Sequence, residues 1–191
     1  MKIVGVGAGP DLLTKEAIYA IETANLIFGS KRALELAKEH IKCNTSILKD
    51  YSLRDIPVNA VVLSTGDPML SGLGKYAKPG DEIIPGISSL QIVCVRLHLD
   101  IENISIITGH SRDIEIVKER LLSELNNGKN VFFLPDTSFG AHEVAEFLDN
   151  NGFLKEIAVC EQLGYPDERI VKGTTRAPPS VENNMYCIVI I

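Results

Sequence analysis

The chain has 191 residues, 45% of them hydrophobic, which is enough for one large domain or two small ones with a sizeable core. Its 19 lysines and arginines against 25 aspartates and glutamates give a formal charge of −6 with no long block of either sign, which argues against general nucleic-acid binding through clustered cations. No apolar run approaches a membrane span, the glycine-rich opening does not suit a signal peptide, and Cys43, Cys94, Cys160 and Cys187 are too widely spaced to signal a zinc site or disulfide framework; the expectation is a cytoplasmic protein with no metal site.

In chain order, "KIVGVG" (2–7) reads as an apolar strand entering a glycine turn. A dinucleotide fold needs Gly-x-Gly-x-x-Gly there and an acidic residue at the end of the second strand. Gly5 and Gly7 fit, but Pro10 holds the third position, and "NLIFGSKR" has no carboxylate at its end. Proline removes a backbone donor and fixes φ, so the turn serves some other purpose.

The helix "LLTKEAIYAIETA", the strand "LIFG" and the helix "SKRALELAKEHI" follow, with Ser30 as an N-cap. Next come the strand "AVVLSTG" (60–66), a short helix near 71–76, the strand "DEIIPG" and a helix over 88–97. After "LDIENISIITG" the pattern restarts with a helix over 113–126, the strand "NVFFLP" and a helix over 138–150. The strands "KEIAVCEQL", "RIVKGTT" and "MYCIVII" close the chain, and the apolar last of these suits the middle of a sheet. The alternation defines an α/β fold of two lobes, 1–107 and 108–191.

Small and conformationally special residues gather where these strands end: Gly5 to Pro10, "STGDPMLSG", "PGISS" and "TGHSR". Ligands of open α/β sheets bind outside the carboxyl ends of strands, so the four turns are candidates for one cleft. Equally, α/β turns need glycine and proline for their own sake. Gly66 permits a tight turn, Pro68 is suited to start a helix, and Asp67 offers a carboxylate either to a ligand amine or to a helix cap. Ser88 or Ser89 serves as cap or ligand contact, and Arg112, near His110, suits a substrate carboxylate or an exposed loop. His40, His98 and His142 fall within or at the ends of helices and read as structural or surface residues. With no Gly-x-Ser-x-Gly, phosphate-loop or His-Glu-x-x-His motif, the site suits a reaction whose cofactor carries the reactive group.

Taken in order, "VGVGAGPDLLTKEA", "STGDPMLSG", "PGISSLQ", "GHSR", "VFFLPDTSFGAHEVAEFL" and "AVCEQLGYPDERIVKGT" resemble the tetrapyrrole methylase family over most of the chain. The resemblance implies two α/β lobes with S-adenosylmethionine in the cleft between them, a homodimer, and C-methylation of a large anionic macrocycle. His110-x-Arg112 and the run from Glu161 to Ile170 point to the branch that methylates carbon 5 of a corrin precursor in oxygen-independent cobalamin synthesis. Carried over by position, Thr65, Gly66, Asp67, Leu70, Ser88, Ser89, Leu134 and Leu163 would contact the cofactor, and Gly9, Pro10 and Arg112 the substrate. Asp67 and His110 would be the catalytic side chains. The first loop is shorter than the common family form, with Gly9-Pro10-Asp11 running straight into Leu12-Leu13-Thr14. A C(15)-methylating, decarboxylating domain found in some relatives has no room here, so a separate enzyme is expected to perform that step. Other methylases of the fold, acting on uroporphyrinogen, the diphthamide pathway or ribosomal RNA, and a non-catalytic ligand-binding module are the alternatives.

Overall fold

The opening strand β1 (Lys2–Gly5) is apolar because it is covered on both faces. Val4 packs into a cluster with Ala17, Ile21, Ile27 and Leu63, whereas Ile3 joins Leu48, Leu53, Val62 and Leu73. Successive strand residues point to opposite faces, so a strand buried on both sides cannot alternate with polar residues. The computed structural model describes residues 1–110 and 112–191, so Ser111 of the "TGHSR" turn lies outside the described residues. It divides into two units, Met1–Ile92 and Val93–Ile191.

The first unit is built on a parallel sheet of order β3-β2-β4-β1-β5, comprising β1, β2 (Leu26–Gly29), β3 (Asn44–Ile47), β4 (Val61–Ser64) and β5 (Glu82–Ile84). Helices α1 (Lys15–Glu22) and α2 (Lys31–Ala37) connect the early strands, and their N-caps are Thr14 and Ser30, whose hydroxyls accept from Ala17 N and Ala33 N at 3.1 Å. Two expectations need correction. β3 was not expected, because all four of its residues are exposed at the sheet edge and its "NTSI" carries no apolar pattern. The helix expected after Pro68 is a 3-10 turn over Leu73–Tyr76, entered by the Gly74 N–H donating to the Pro68 carbonyl at 2.9 Å.

Helix α3 (Ser89–Leu97) leads to the second sheet, of order β6-β7-β10-β8-β9. Its strands are β6 (Ile104–Thr108), β7 (Asn130–Leu134), β8 (Glu156–Glu161), β9 (Arg169–Thr174) and β10 (Tyr186–Ile190). The apolar β10 lies centrally, as expected, antiparallel to both β7 and β8. Helices α4 (Ile114–Asn126) and α5 (Ala141–Asn150) cover one face, where Ile107, Val131, Phe133, Val159 and Ile188 meet Val117, Leu121, Val144 and Leu148. The lobe boundary expected at 107/108 moves to 92/93, because β6 pairs with β7 from Ile104↔Asn130 to Thr108↔Leu134 and so belongs to the second sheet.

Candidate functional site

β4, β1 and β5 are adjacent and parallel, so the turns at their carboxyl ends meet within the first unit. The Val6 N–H donates to the Ser64 carbonyl at 2.9 Å; Gly7 and Gly66 exchange a reciprocal pair of bonds at 3.3 and 2.7 Å; Ala8 N–H donates to the Ile87 carbonyl at 2.9 Å. These bonds draw three backbones so close that side chains cannot fit. A Cβ on Gly5 would stand 2.5 Å from Gly86 N and 2.8 Å from Gly66 O, and one on Gly86 would overlap Gly66 O. Gly66 also has φ +66, the left-handed region that glycine adopts freely. On its own Cβ side Gly66 is open, with Ser88 Cα at 4.0 Å the nearest atom, so a ligand can lie directly against this backbone.

Asp67 has a more definite task than the sequence assigns it. Its Oδ1 accepts from Met69 N at 2.7 Å and its Oδ2 from Gly86 N at 3.1 Å. Both oxygens are thus engaged, Oδ1 closing the β4 turn on itself and Oδ2 fastening it to the β5 turn, and the helix-cap alternative does not arise because no α-helix follows. Thr65 is partly exposed beside it, and the partly exposed Leu70 donates its N–H to the Asp67 carbonyl at 3.1 Å. Ser88 caps α3 reciprocally: its hydroxyl accepts from Gln91 N at 3.2 Å, while Gln91 Oε1 accepts from Ser88 N at 2.7 Å. Ser89 opens the helix. Gly9 is buried, Pro10 is partly exposed, and the carbonyl of neighbouring Ala8 accepts from the Arg32 guanidinium. Arg32 is a residue that sequence reading passed over, since a single arginine in a helix carries no motif.

In the second unit β6, β7 and β8 all run the same way, β8 being related to β7 through two antiparallel pairings, so their carboxyl ends lie along one edge of the sheet. Leu134 ends β7 opposite Thr108, and Gly109 N–H donates to its carbonyl at 2.8 Å. His110 and Arg112 are exposed on the turn that follows, where Arg112 N–H donates to the Gly109 carbonyl at 3.0 Å. His110 Nδ1 stands 4.0 Å from Asp136 Oδ2, longer than a hydrogen bond. Asp136 Oδ1 in turn accepts from Ser138 N at 3.2 Å, and α5 starts at Ala141 and not at the expected 138, with Gly140 N–H donating to Glu143 Oε2 at 3.0 Å at its N-cap.

At the end of β8, Glu161, which opens the run that points to the carbon-5 branch but takes no role of its own from the sequence, is a buried carboxylate. Only 1% of it is exposed; it accepts from Arg169 Nη1 at 2.6 Å, Glu182 N at 2.6 Å and Asn183 N at 2.7 Å. Burial raises its pKa, but the Asn183, Arg169 and Glu182 donors outweigh that cost and hold the carboxyl below its ordinary 4.5. The chain then turns through Gln162, at φ +51, to Leu163, which is buried. Glu168 secures this turn by accepting from Gly164 N at 2.8 Å and from Arg96 Nε at 2.6 Å. Among the described residues no three His, Cys, Asp or Glu side chains gather as a metal site would need.

The structure thus brings Gly66, Asp67 and Ser88 together in the first unit, and Leu134, His110 and Arg112 to one sheet edge in the second, with Leu163 two strands along that edge. Two α/β units, the first with glycine-fastened strand ends, define the class; the model of the Tetrapyrrole (Corrin/Porphyrin) Methylases matches residues 2–179, and the chain belongs to that family. It is therefore a methyltransferase. It is 38% identical over 188 residues to a probable cobalt-precorrin-7 C(5)-methyltransferase of Methanocaldococcus jannaschii, covering 88% of this chain and 86% of that protein. A crystal structure of the cobalamin-biosynthesis precorrin-6Y methylase of Archaeoglobus fulgidus superposes with a TM-score of 0.76 at 28% identity, covering 100% of this chain and 96% of that one. The fold is also that of a uroporphyrin-III C-methyltransferase from Thermus thermophilus complexed with S-adenosyl homocysteine, with a TM-score of 0.73 at 17% identity over 98% of this chain and 90% of that one. Among the described residues no helix is long and apolar enough to cross a membrane.

Proposed function

We propose that the protein transfers a methyl group from S-adenosylmethionine to carbon 5 of a cobalt-containing corrin precursor. The observation that carries this reading is the 38% identity to a C(5)-methyltransferase over 88% of this chain and 86% of that protein. The open backbone of Gly66, fixed by Asp67, is a surface on which the methionine end of such a cofactor fits. Thr65, Leu70, Ser88, Ser89, Leu134 and Leu163 are the further cofactor contacts of this reading.

The cofactor supplies, when bound, a methyl group activated on a sulfonium. This chain's contribution is then positioning, worth about 7–11 kcal/mol in well-oriented reactions. Asp67 does this indirectly, by locking the Gly66 backbone, and touches no reacting atom through its engaged oxygens. Arg112 offers an exposed cation to a peripheral carboxylate of the macrocycle, and Gly9 and Pro10 are the further substrate contacts of this reading. His110, with Nδ1 toward Asp136, offers Nε2 to a proton leaving the ring carbon. The protein works as a homodimer in the cytoplasm.

The test is the thermal midpoint with S-adenosylhomocysteine, against NAD and ATP as controls. At about 100 times its dissociation constant a ligand stabilises by about 2.7 kcal/mol. At about 2–4 °C per kcal/mol for a chain of this length, the midpoint rises by about 5–11 °C. No shift with S-adenosylhomocysteine, or an equal shift with NAD, overturns the reading.

A further inference from the structure

Thr108, the last residue of β6, carries a hydroxyl that is buried and has no hydrogen-bond partner. Buried hydroxyls without partners are uncommon because the group loses its bonds to water and gains none in return. Nothing about the strand requires a hydroxyl there. Valine has the same shape and the same β-branched fit to a pleated sheet, without the polar atom.

Its place in the fold suggests where a partner comes from. Ile107 faces α4 and α5 within the core cluster, so Thr108 projects from the opposite face of the sheet. Phe133 belongs to the same cluster, so Leu134, the register partner of Thr108, projects with it. The two side chains therefore stand side by side at the carboxyl end of β6 and β7, an apolar surface next to a group able both to donate and to accept. Both residues keep partial exposure although the hydroxyl oxygen itself is covered, and a rotation of about 120° about the Cα–Cβ bond moves Oγ1 to another staggered position. A flat heteroaromatic ring with a polar edge has the chemistry to use both neighbours.

We propose that Thr108 is a binding residue for the adenosine half of the cofactor, its hydroxyl bonding a polar edge of the nucleoside while Leu134 packs on its apolar face. This rests on the cofactor reading above and adds to it a residue that none of the sequence motifs marks. A hydroxyl that is unsatisfied without ligand and satisfied with it makes a specific pattern: removing it weakens binding and does not weaken the fold.

The experiment is isothermal titration of the full-length protein with S-adenosylhomocysteine, and with 5′-methylthioadenosine, which lacks the amino-acid end, for wild type, Thr108→Val and Thr108→Ser. Thr108→Val is expected to raise both dissociation constants about fivefold, the effect of one net hydrogen bond. Its thermal midpoint without ligand is expected to equal or exceed that of wild type, and Thr108→Ser is expected to bind within about twofold of wild type. Wild-type affinity in a folded Thr108→Val variant overturns the inference and leaves the cofactor reading standing. So does a loss seen with S-adenosylhomocysteine but absent with 5′-methylthioadenosine. A lower midpoint in Thr108→Val overturns it as well, because the hydroxyl would then serve the fold. Absence of wild-type binding to either compound defeats the cofactor reading, and the inference with it.

Discussion

Replacing Glu161 tests how the second unit holds the strand end that carries Leu163. The carboxylate is 1% exposed and accepts three bonds that fasten two places: β9 through Arg169, and the segment before β10 through the N–H groups of Glu182 and Asn183. Glu161→Ala leaves a guanidinium and two amides without their acceptor. Removing one partner of a buried pair costs about 3–5 kcal/mol, and because the Arg169 side chain is 29% exposed and also bonds Glu182, water recovers part of this, leaving about 2–4 kcal/mol. Glu161→Gln keeps one acceptor oxygen but loses the charge and places an amide NH2 against donors, so about 1–3 kcal/mol is expected. The assay is urea unfolding followed by circular dichroism, at pH 7 and in steps to pH 3.5. The folded carboxyl lies below 4.5, so its contribution is complete above that value and is lost as pH falls through the folded pKa. The difference between wild type and Glu161→Gln should therefore be flat from pH 7 to about 5 and shrink below it. A Glu161→Ala loss under about 0.5 kcal/mol, or a difference unchanged at pH 3.5, refutes the reasoning.

Gly86→Ala forces a Cβ into the Gly66 carbonyl and should prevent the first unit from folding, read as loss of the cooperative melt; Gly80→Ala, where nothing lies within 4 Å, should cost only the strain of its φ of +94, and equal losses in the two would show that the turns yield. Asp67→Asn replaces one acceptor oxygen with an NH2 facing a backbone donor, so it should lower stability by about 1–3 kcal/mol and also weaken S-adenosylhomocysteine. Lost stability with normal binding in the folded variant would make Asp67 a brace for the fold alone. Arg112→Ala should weaken the macrocycle in equilibrium titrations and leave S-adenosylhomocysteine affinity nearly unchanged; equal losses in both would sink its assignment to substrate.

How far a sequence discloses such a site depends on whether the responsible residues answer to local or distant demands. Apolar runs such as "KIVGVG" and "MYCIVII" are legible because burial on both faces acts on every residue of the strand, and caps such as Ser30 because their partner is three residues away. β3 is illegible for the converse reason: an exposed edge strand is held by its backbone pairing with β2, and "NTSI" records none of it. The glycines show both cases in one cluster. Gly66 is readable from its turn, but the need for glycine at Gly5 and Gly86 comes from each other, 81 positions apart, through a backbone approach that no window of sequence contains. The same holds for the carboxylates. Asp67 stands in a conspicuous "GDP" and invites a chemical role, yet its Oδ2 is spent on Gly86 N, 19 residues on. Glu161 stands in an inconspicuous "CEQ" and is the more deeply committed of the two, with backbone donors 21 and 22 residues away. In this fold a carboxylate at a strand end is therefore first a fastener between neighbouring turns. The side chains free to meet a ligand are those the turns leave exposed, such as His110 and Arg112, or one left without a partner, such as Thr108.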